Sequence, residues 1–438
     1  MPSRNFSEWS CLDREKQHYS MTNHDIRRWY QRDIDQITHS TCFRKLQRKS
    51  QLLSEKDPRS RSRLIHTIEV SRIAMEISEK LGLSKELTEA ICLAHDIGTS
   101  PYGCIGNTFL REHAQQNFSH EMAGALMLLL ISKKSTNSEE DDAKIESLVE
   151  DDDFRGRAQL SIDSFPEYLY ASRITDGKND AQYYLHHISP EIVDGVFNHG
   201  DAGRPNTLEG QVVRFADNIA YLSQDIEDLI TTKILSKRYF VKYAGLKNLQ
   251  YTPPKTASNP TPKTRTMAWT DIDNDPQIGS LKDAFNETRG RRIAAFISRF
   301  VEYNLKQLNA GNLSTRWSEI LNKEIPILEY DDGTKFVIDF MWNFIEGNYE
   351  KPLINTSNEL QKEKMSQLWT ILEDPEFQSK NSSYKNFMGE ITSNSLFSAF
   401  GNEWKMAFFI SHLSWFEVDL IIDSYHERNN TFELDISY

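Results

Sequence analysis

The stretch RLIHTIEVSRIAMEISEKLGLSKELTEAICLAHDIGTSPYG, residues 63–103, decides how this chain is read. Apolar side chains recur at helical spacing over residues 64–81. Ile65, Ile68, Ile73, Ile77 and Leu81 form one stripe, and Gly82 ends it. Ser84 is placed to cap a second helix, on which Leu87, Ala90, Ile91 and Ala94 share a face before turn residues take over at Gly98. Further out, residues 121–131 predict a strongly apolar third helix. Residues 209–233 predict a long one, with Val212, Phe215, Ala216, Ile219, Leu222, Ile226 and Ile230 as its buried stripe. Residues 291–305 and 406–425 also read as helices, and the aromatic-rich run 406–415 reads as core rather than interface. Strand-like alternation is scarce and no internal repeat occurs. The fold class is mainly α.

The chain has 438 residues, 38% hydrophobic and 26% charged, an ordinary globular composition. Such a length accommodates one large domain with appendages, or two to three smaller ones. The longest apolar run, residues 125–131, is far short of the ~18–20 needed to cross a bilayer. The N-terminal MPSRNFSEWSCLDREKQ has no apolar segment of a secretory signal. Cys11, Cys42, Cys92 and Cys104 fit no disulfide or zinc spacing, which points to a reducing, cytoplasmic setting without membrane contact. A net charge of −13 argues against bulk nucleic-acid binding and leaves a local DNA contact open. Basic residues concentrate at Arg44, Lys45, Arg48, Lys49, Lys56, Arg59, Arg61 and Arg63. That cluster reads either as a solvated helix face or as a site for a compact polyanion such as a triphosphate. An acidic stretch near 133–165 reads as a solvated insertion, and the Pro/Thr/Lys-rich 252–266 as an irregular loop. The expected organisation is a basic arm and helix over 1–54, a helical core over 55–235, and a helical C-terminal region over 236–438 for oligomerisation or regulation.

Three segments concentrate the chemistry: RLIHTIEV, LAHDIGTSPYG and RFADNIAYLSQD. They place His66, the doublet His95–Asp96, and Asp217. His66 shares a face with Val70, Ile73 and Ile77, and His95 follows Ile91 by one turn, so both imidazoles point inward. Asp217 sits beside Phe215 and Ile219, where an unpaired carboxylate is costly. Imidazole and carboxylate are the ligands of first-row divalent metals, and four of them at inward positions are inexpensive together only when something binds them.

His…His–Asp…Asp in this order on helices resembles the HD superfamily of metal-dependent phosphohydrolases. More narrowly it resembles the dGTPase-type deoxynucleoside triphosphate triphosphohydrolases. DIDQITHSTCFRKLQRKSQLL is similar to that family's upstream segment, RSRLIHTIEVSRIA to its first ligand helix, and ISPEIVDGVFNHG with LEGQVVRFADNIAY to the run into its last ligand. The likeness covers roughly residues 32–130 and 186–230. It implies an HD-domain helical core with a helical C-terminal extension, and a divalent cation (Mg²⁺, Mn²⁺ or Fe²⁺) held by His66, His95, Asp96 and Asp217. It also implies that Arg63 contacts the triphosphate, that Gln51 lies beside the sugar, and that Tyr221 and Asp225 read the 3′-hydroxyl. Independently, Asp217, Tyr221 and Asp225 are four apart and form one stripe, drifting about 40° per step.

The chain departs from the family pattern at Thr99, Cys104 and Asn107, where the family usually has two histidines and an acid. The latter two family positions are assigned to proton transfer. A thiol titrates near 8.5 and an amide does not titrate, so Cys104 and Asn107 cannot form the same relay. His120, in FSHEMAG, matches a family histidine and is the candidate replacement acid, with Cys104 and Asp96 completing the catalytic set. Glu112 and His113 have no counterpart and read as surface residues. The implied reaction is hydrolysis of a dNTP to deoxynucleoside and inorganic triphosphate by a homo-oligomer, a tetramer or hexamer, activated by a second dNTP. One implied purpose is depletion of the dNTP pool against an infecting phage. The alternatives are a dNTP-binding sensor with weakened catalysis and an HD phosphohydrolase for another nucleotide.

Overall fold

A computed structural model of the chain describes residues 5–12, 27–50, 61–114, 118–134, 188–200, 203–231, 249–251, 265–267, 288–349, 352–394, 400–427 and 432–434, with Phe397 and Ile436. The acidic segment beyond residue 134, residues 252–264 and Gln51 lie outside them. Helices α1 (Trp29–His39) and α2 (Thr41–Lys45) lead to α3 (Arg63–Leu81). Ser62 caps α3 by accepting from the Ile65 amide, and Gly82 ends it at φ +77°. A left-handed residue there costs glycine nothing. Ser84 caps α4 (Lys85–Ala94) through the Leu87 amide, as its position predicts. Then follow α5 (Gly103–His113), α6 (His120–Lys134), α7 (Pro190–Phe197) and the long α8 (Leu208–Thr231).

Helices α3, α4 and α8 pack mutually. α7 wedges against α4, α6 and α8, and α1 lies on α4. The predicted stripe of α3 needs correction at its N-terminal half. Ile73, Ile77 and Leu81 are buried, but Ile65 and Ile68 are 46% and 45% exposed. The inward positions of that half go instead to Arg63, His66, Thr67 and Val70, all buried at spacings of three, four and seven. The polar set that makes the site has displaced the apolar one.

The C-terminal region begins with the strand pair β1 (Leu249–Tyr251) and β2 (Arg265–Met267), so the end of the expected irregular loop is extended and paired. Next come α9 (Arg289–Ala310), the hairpin β3 (Thr315–Ser318) and β4 (Lys323–Pro326), α10 (Asp332–Tyr349) and α11 (Pro352–Glu373). Helices α12 (Pro375–Lys380), α13 (Ser382–Ser393), α14 (Asn402–Ser411) and α15 (Trp415–His426) complete the described order. Residues 406–425 are thus two helices rather than one. Ser414 accepts from the Glu417 amide while the Glu417 carboxylate accepts from the Ser414 amide and hydroxyl, a reciprocal cap that starts α15 afresh. Phe408, Phe409, Ile410 and Leu413 are fully buried, as core. The C-terminal helices join the same buried cluster as the N-terminal ones, α11 packing on α5 and α15, and α9 and α10 on α8. No described helix is long and apolar enough to cross a membrane, and the four cysteines are unbridged.

The basic cluster resolves into structural pairings. Lys45 binds Glu417 at 2.8 Å, Arg61 binds Glu69 at 3.1 Å, and Arg44 bonds the His39 carbonyl and the Thr41 hydroxyl. Fully buried Lys49 donates to the carbonyls of Ile97, Thr99 and Ser411, and burial pushes its ammonium down to about 7. Of the described members, Arg63 alone belongs to the candidate site below.

One close approach joins α6 to the turn after α4: a Cβ on Gly98 would collide with the main chain at His120 and Gly124. Backbone atoms cannot move aside as a side-chain tip can. Gly98→Ala is therefore expected to lower stability by about 2–4 kcal/mol. Gly290→Ala is the control, since a Cβ there meets nothing and helix propensity favours alanine by about 0.5–1 kcal/mol. Thermal melts of both variants check the pair.

Candidate metal centre

Arg63 is the first residue of α3, and its guanidinium reaches both carboxylate oxygens of Asp96, at 3.1 and 3.0 Å. Thr99 donates a third bond to Asp96, at 2.8 Å. Burial alone would raise the Asp96 carboxyl, but Arg63 and the two histidines outweigh it and hold the group far below the carboxylate range. Arg63 is correspondingly held as a cation, with Asp96 outweighing the effect of its burial. One turn along α3, His66 is fully buried. Its Nε2 stands 2.9 Å from Asp217 Oδ1 and its Nδ1 bonds Gln224 at 3.2 Å. His95 donates from Nδ1 to the Cys92 carbonyl at 2.7 Å, which fixes the tautomer and leaves the Nε2 lone pair facing inward. That atom is buried with no hydrogen-bond partner, 3.5 Å from Asp96 Oδ2 and 3.7 Å from Asp217 Oδ1.

An orphaned imidazole lone pair between two ionised carboxylates fits a cation. His66, His95 and Asp96 have ligand atoms close enough to share one ion, and Asp217 adjoins them through its contact with His66. Burial lowers the His95 pKa, yet Asp96 and Asp217 raise it to about 9. Asp217 is lowered well below its usual range, its hydrogen bond with His66 and the nearby His95 imidazole outweighing burial. It is also the member with an opening, its side chain being 26% exposed.

The expected substrate-side residues are partly assembled. Tyr221 lies edge-on to His66 with ring centres 6.5 Å apart, and Cys104 Sγ is 3.9 Å from its hydroxyl. Trp342, from α10, stacks on Tyr221 at 4.9 Å and 26°. Asp225 is fully buried one turn further along α8. Of the departures, Thr99 supports Asp96, while Asn107 accepts from the Ser100 amide at 3.0 Å and so braces the turn. His113 stacks on Phe109 at 3.8 Å, away from the cluster, and Glu112 is exposed.

His120 belongs to an adjoining group. Its Nδ1 is 3.2 Å from the Glu121 carboxylate, and the ring of buried His199 lies 5.2 Å from both His120 and His95. His199 donates from Nδ1 to the Val196 carbonyl at 2.6 Å. His199, Gln224 and Trp342 were not singled out from the sequence. Gln224, seven after Asp217 on the same helix face, had a readable signal; Trp342, on a remote helix, had none.

Further along α8, Asp228 is buried beside Arg61, whose Nε is 3.4 Å away. Burial, ahead of the Arg61 attraction, raises its pKa from 3.8 to about 6. The fold thus prefers Asp228 protonated, and that contribution is lost as pH rises from 3.8 through 6. Asp228→Asn should stabilise the protein by about 1–3 kcal/mol at pH 7.5. The gain should vanish below about pH 4, as a pH series of melting temperatures would show.

The HD domain family model matches residues 63–222. A deoxyguanosinetriphosphate triphosphohydrolase-like protein of Caldanaerobacter subterraneus is 34% identical over 212 residues, 48% of each chain. Proteins of the same description from Desulfatibacillum aliphaticivorans and Neorickettsia sennetsu are 32% and 31% identical, over 48% and 47% of this chain and 50% and 48% of theirs. The chain spans about half the length of the curated relatives it matches. Residues 63–222, which bring His66, His95, Asp96 and Asp217 together, are an HD domain, within a segment similar to the deoxyguanosinetriphosphate triphosphohydrolase-like proteins.

Proposed function

We propose that the chain is a metal-dependent phosphohydrolase that cleaves deoxynucleoside triphosphates to deoxynucleoside and inorganic triphosphate. The observation that carries this reading is the face of α8. Asp217 borders the His66–His95–Asp96 cluster, and Tyr221, one turn on, stacks on Trp342 and touches Cys104. A phosphate group at the cluster and a sugar at Tyr221 are therefore neighbours along one helix. The likeness to deoxyguanosinetriphosphate triphosphohydrolase-like proteins agrees with a guanine deoxynucleotide as one substrate.

His66, His95, Asp96 and Asp217 hold a divalent cation (Mg²⁺, Mn²⁺ or Fe²⁺). When bound, it supplies Lewis-acid activation of water and phosphate. Arg63 keeps Asp96 ionised and brings positive charge to the wall that faces the phosphates. Tyr221 and Asp225 orient the deoxyribose 3′-hydroxyl, and the resemblance assigns Gln51 to the sugar as well. Water adds its oxygen to the α-phosphorus and gives up a proton. The bond to the 5′-oxygen breaks, its electron pair stays on that oxygen, and a proton must arrive there. His120, held against Glu121, is the group assigned to deliver it, with Cys104 at the sugar edge as the second candidate. A homo-oligomer activated by a second dNTP belongs to the same reading.

The test is incubation with Mn²⁺ or Mg²⁺ and each dNTP, singly and mixed, with assay of triphosphate and deoxynucleoside. Release of both products that disappears in Asp217→Ala supports the proposal, and faster release from mixtures supports activation. His120→Ala should lower turnover about 10²-fold or more while leaving nucleotide affinity within a few-fold. Saturable dNTP binding without product would move the assignment to a nucleotide sensor. Neither binding nor product would show that this HD domain takes another substrate.

A further inference from the structure

Arg63 and Thr99 both bond the Asp96 carboxylate, and both are bonded in turn to Lys49. The main-chain carbonyl of Lys49 accepts from the Arg63 amide at 2.8 Å and so holds the start of α3. Its ammonium donates to the Thr99 carbonyl at 2.5 Å and, at longer range, to that of Ile97. It also donates to the carbonyl of Ser411, the last residue of α14, at 2.7 Å. We infer that Lys49 is a positioning residue for Asp96, and that through it helix α14 is coupled to the turn at His95–Thr99.

The bonds close a ring: Lys49 to Thr99, Thr99 to Asp96, Asp96 to Arg63, and Arg63 back to Lys49. A shift of Lys49 therefore reaches the Asp96 carboxylate from both sides, although the protons of its ammonium go to carbonyls. Lys49 is almost wholly buried, and three carbonyls match the three protons of an ammonium. The last carbonyls of a helix lack partners within it and carry the negative end of its dipole, which a buried cation meets at Ser411. Lys45 provides the contrast. It donates to the His412 carbonyl at 3.0 Å and pairs with Glu417, holding the same end of α14, and its printed bonds stop there. Docking of α14 and positioning of Asp96 are thus separable by comparing the two lysines. Loss of a group that orients a metal ligand from behind typically costs about 10–100-fold in affinity. The inference rests on the proposed reading of Asp96 as a metal ligand for its metal readout alone.

The experiment titrates the full chain with Mn²⁺, followed by electron paramagnetic resonance, in wild type, Lys49→Met and Lys45→Met. Lys49→Met should weaken Mn²⁺ binding about 10–100-fold and alter the spectrum of the bound ion. Lys45→Met should leave both unchanged. Both variants should melt at lower temperature, so lost stability alone does not produce the difference. Wild-type affinity and spectrum in Lys49→Met overturn the inference. Native-state hydrogen exchange on the wild type decides if Lys49→Met fails to fold. The amides of Ile97 and Thr99, bonded to the Ala94 and Asp96 carbonyls, should share one opening free energy with those of His412 and Leu413 at the end of α14. Turn amides that open at lower free energy than the α14 pair overturn the coupling. If the wild type holds no Mn²⁺, the ligand reading fails by itself and exchange alone decides the role of Lys49.

Discussion

A buried guanidinium and a buried carboxylate hold each other in place at the centre of this molecule. Arg63 and Asp96 have almost no access to water, and removing either would strand the other, a cost of about 3–5 kcal/mol for pairs of this kind. Their geometry therefore constrains everything attached to them. Arg63 is the first residue of α3 and Asp96 lies in the turn after α4, so the pair fixes the start of one helix against the end of the other. His66 follows Arg63 by three residues and His95 precedes Asp96 by one. Both imidazoles are thus brought into register by a contact that neither makes. The same turn is held from its other side by Lys49, which spends all its donors on carbonyls of Ile97, Thr99 and Ser411. Through Lys49 the C-terminal helix α14 becomes part of the scaffold of the HD turn.

The long helix α8 answers that arrangement with a polar line inside an apolar element. Asp217, Tyr221, Gln224, Asp225 and Asp228 recur at intervals of three and four, so they stay on one face over three turns. Each lies where a polar group is costly unless something meets it. Asp217 meets the two imidazoles, Gln224 meets His66, and Asp228 meets Arg61 while titrating upward. The line runs from the His66–His95–Asp96 cluster toward Arg61, just before α3, along successive turns of a single element.

Much of this was legible in the chain. Ser84 sits before an apolar period and does cap a helix, and His66, His95 and Asp217 face one another from the inward positions that periodicity indicated. The illegible parts share a cause. Ile65 and Ile68 look like core until it is known that Arg63, His66 and Thr67 hold the inward positions, a competition that hydrophobicity alone cannot score. The break at Ser414 lies inside a long apolar run and depends on a reciprocal bond with Glu417. Trp342 reaches Tyr221 from a helix more than a hundred positions away in the chain. The basic residues near Arg63 looked alike in sequence, yet Lys45, Lys49 and Arg61 face three different structural partners. Charge counts say nothing about which cation is already engaged.

Thr99 and Asn107 place the departures from the family pattern in a different light. Both have become architecture: a hydroxyl that orients Asp96 and an amide that accepts from the Ser100 backbone. Neither bond requires a proton to move, and both tighten the turn that follows His95 and Asp96. Beyond His95 lies a second polar group, in which His199 adjoins both His95 and His120 and Glu121 pairs with His120. Glu121 shows how strongly that group is organised. Burial would raise its carboxyl, but the neighbouring imidazoles bring it down to about 2. Its carboxylate thus lies between the imidazoles of His120 and His199, a paired polar group where α6 meets the loop after α7.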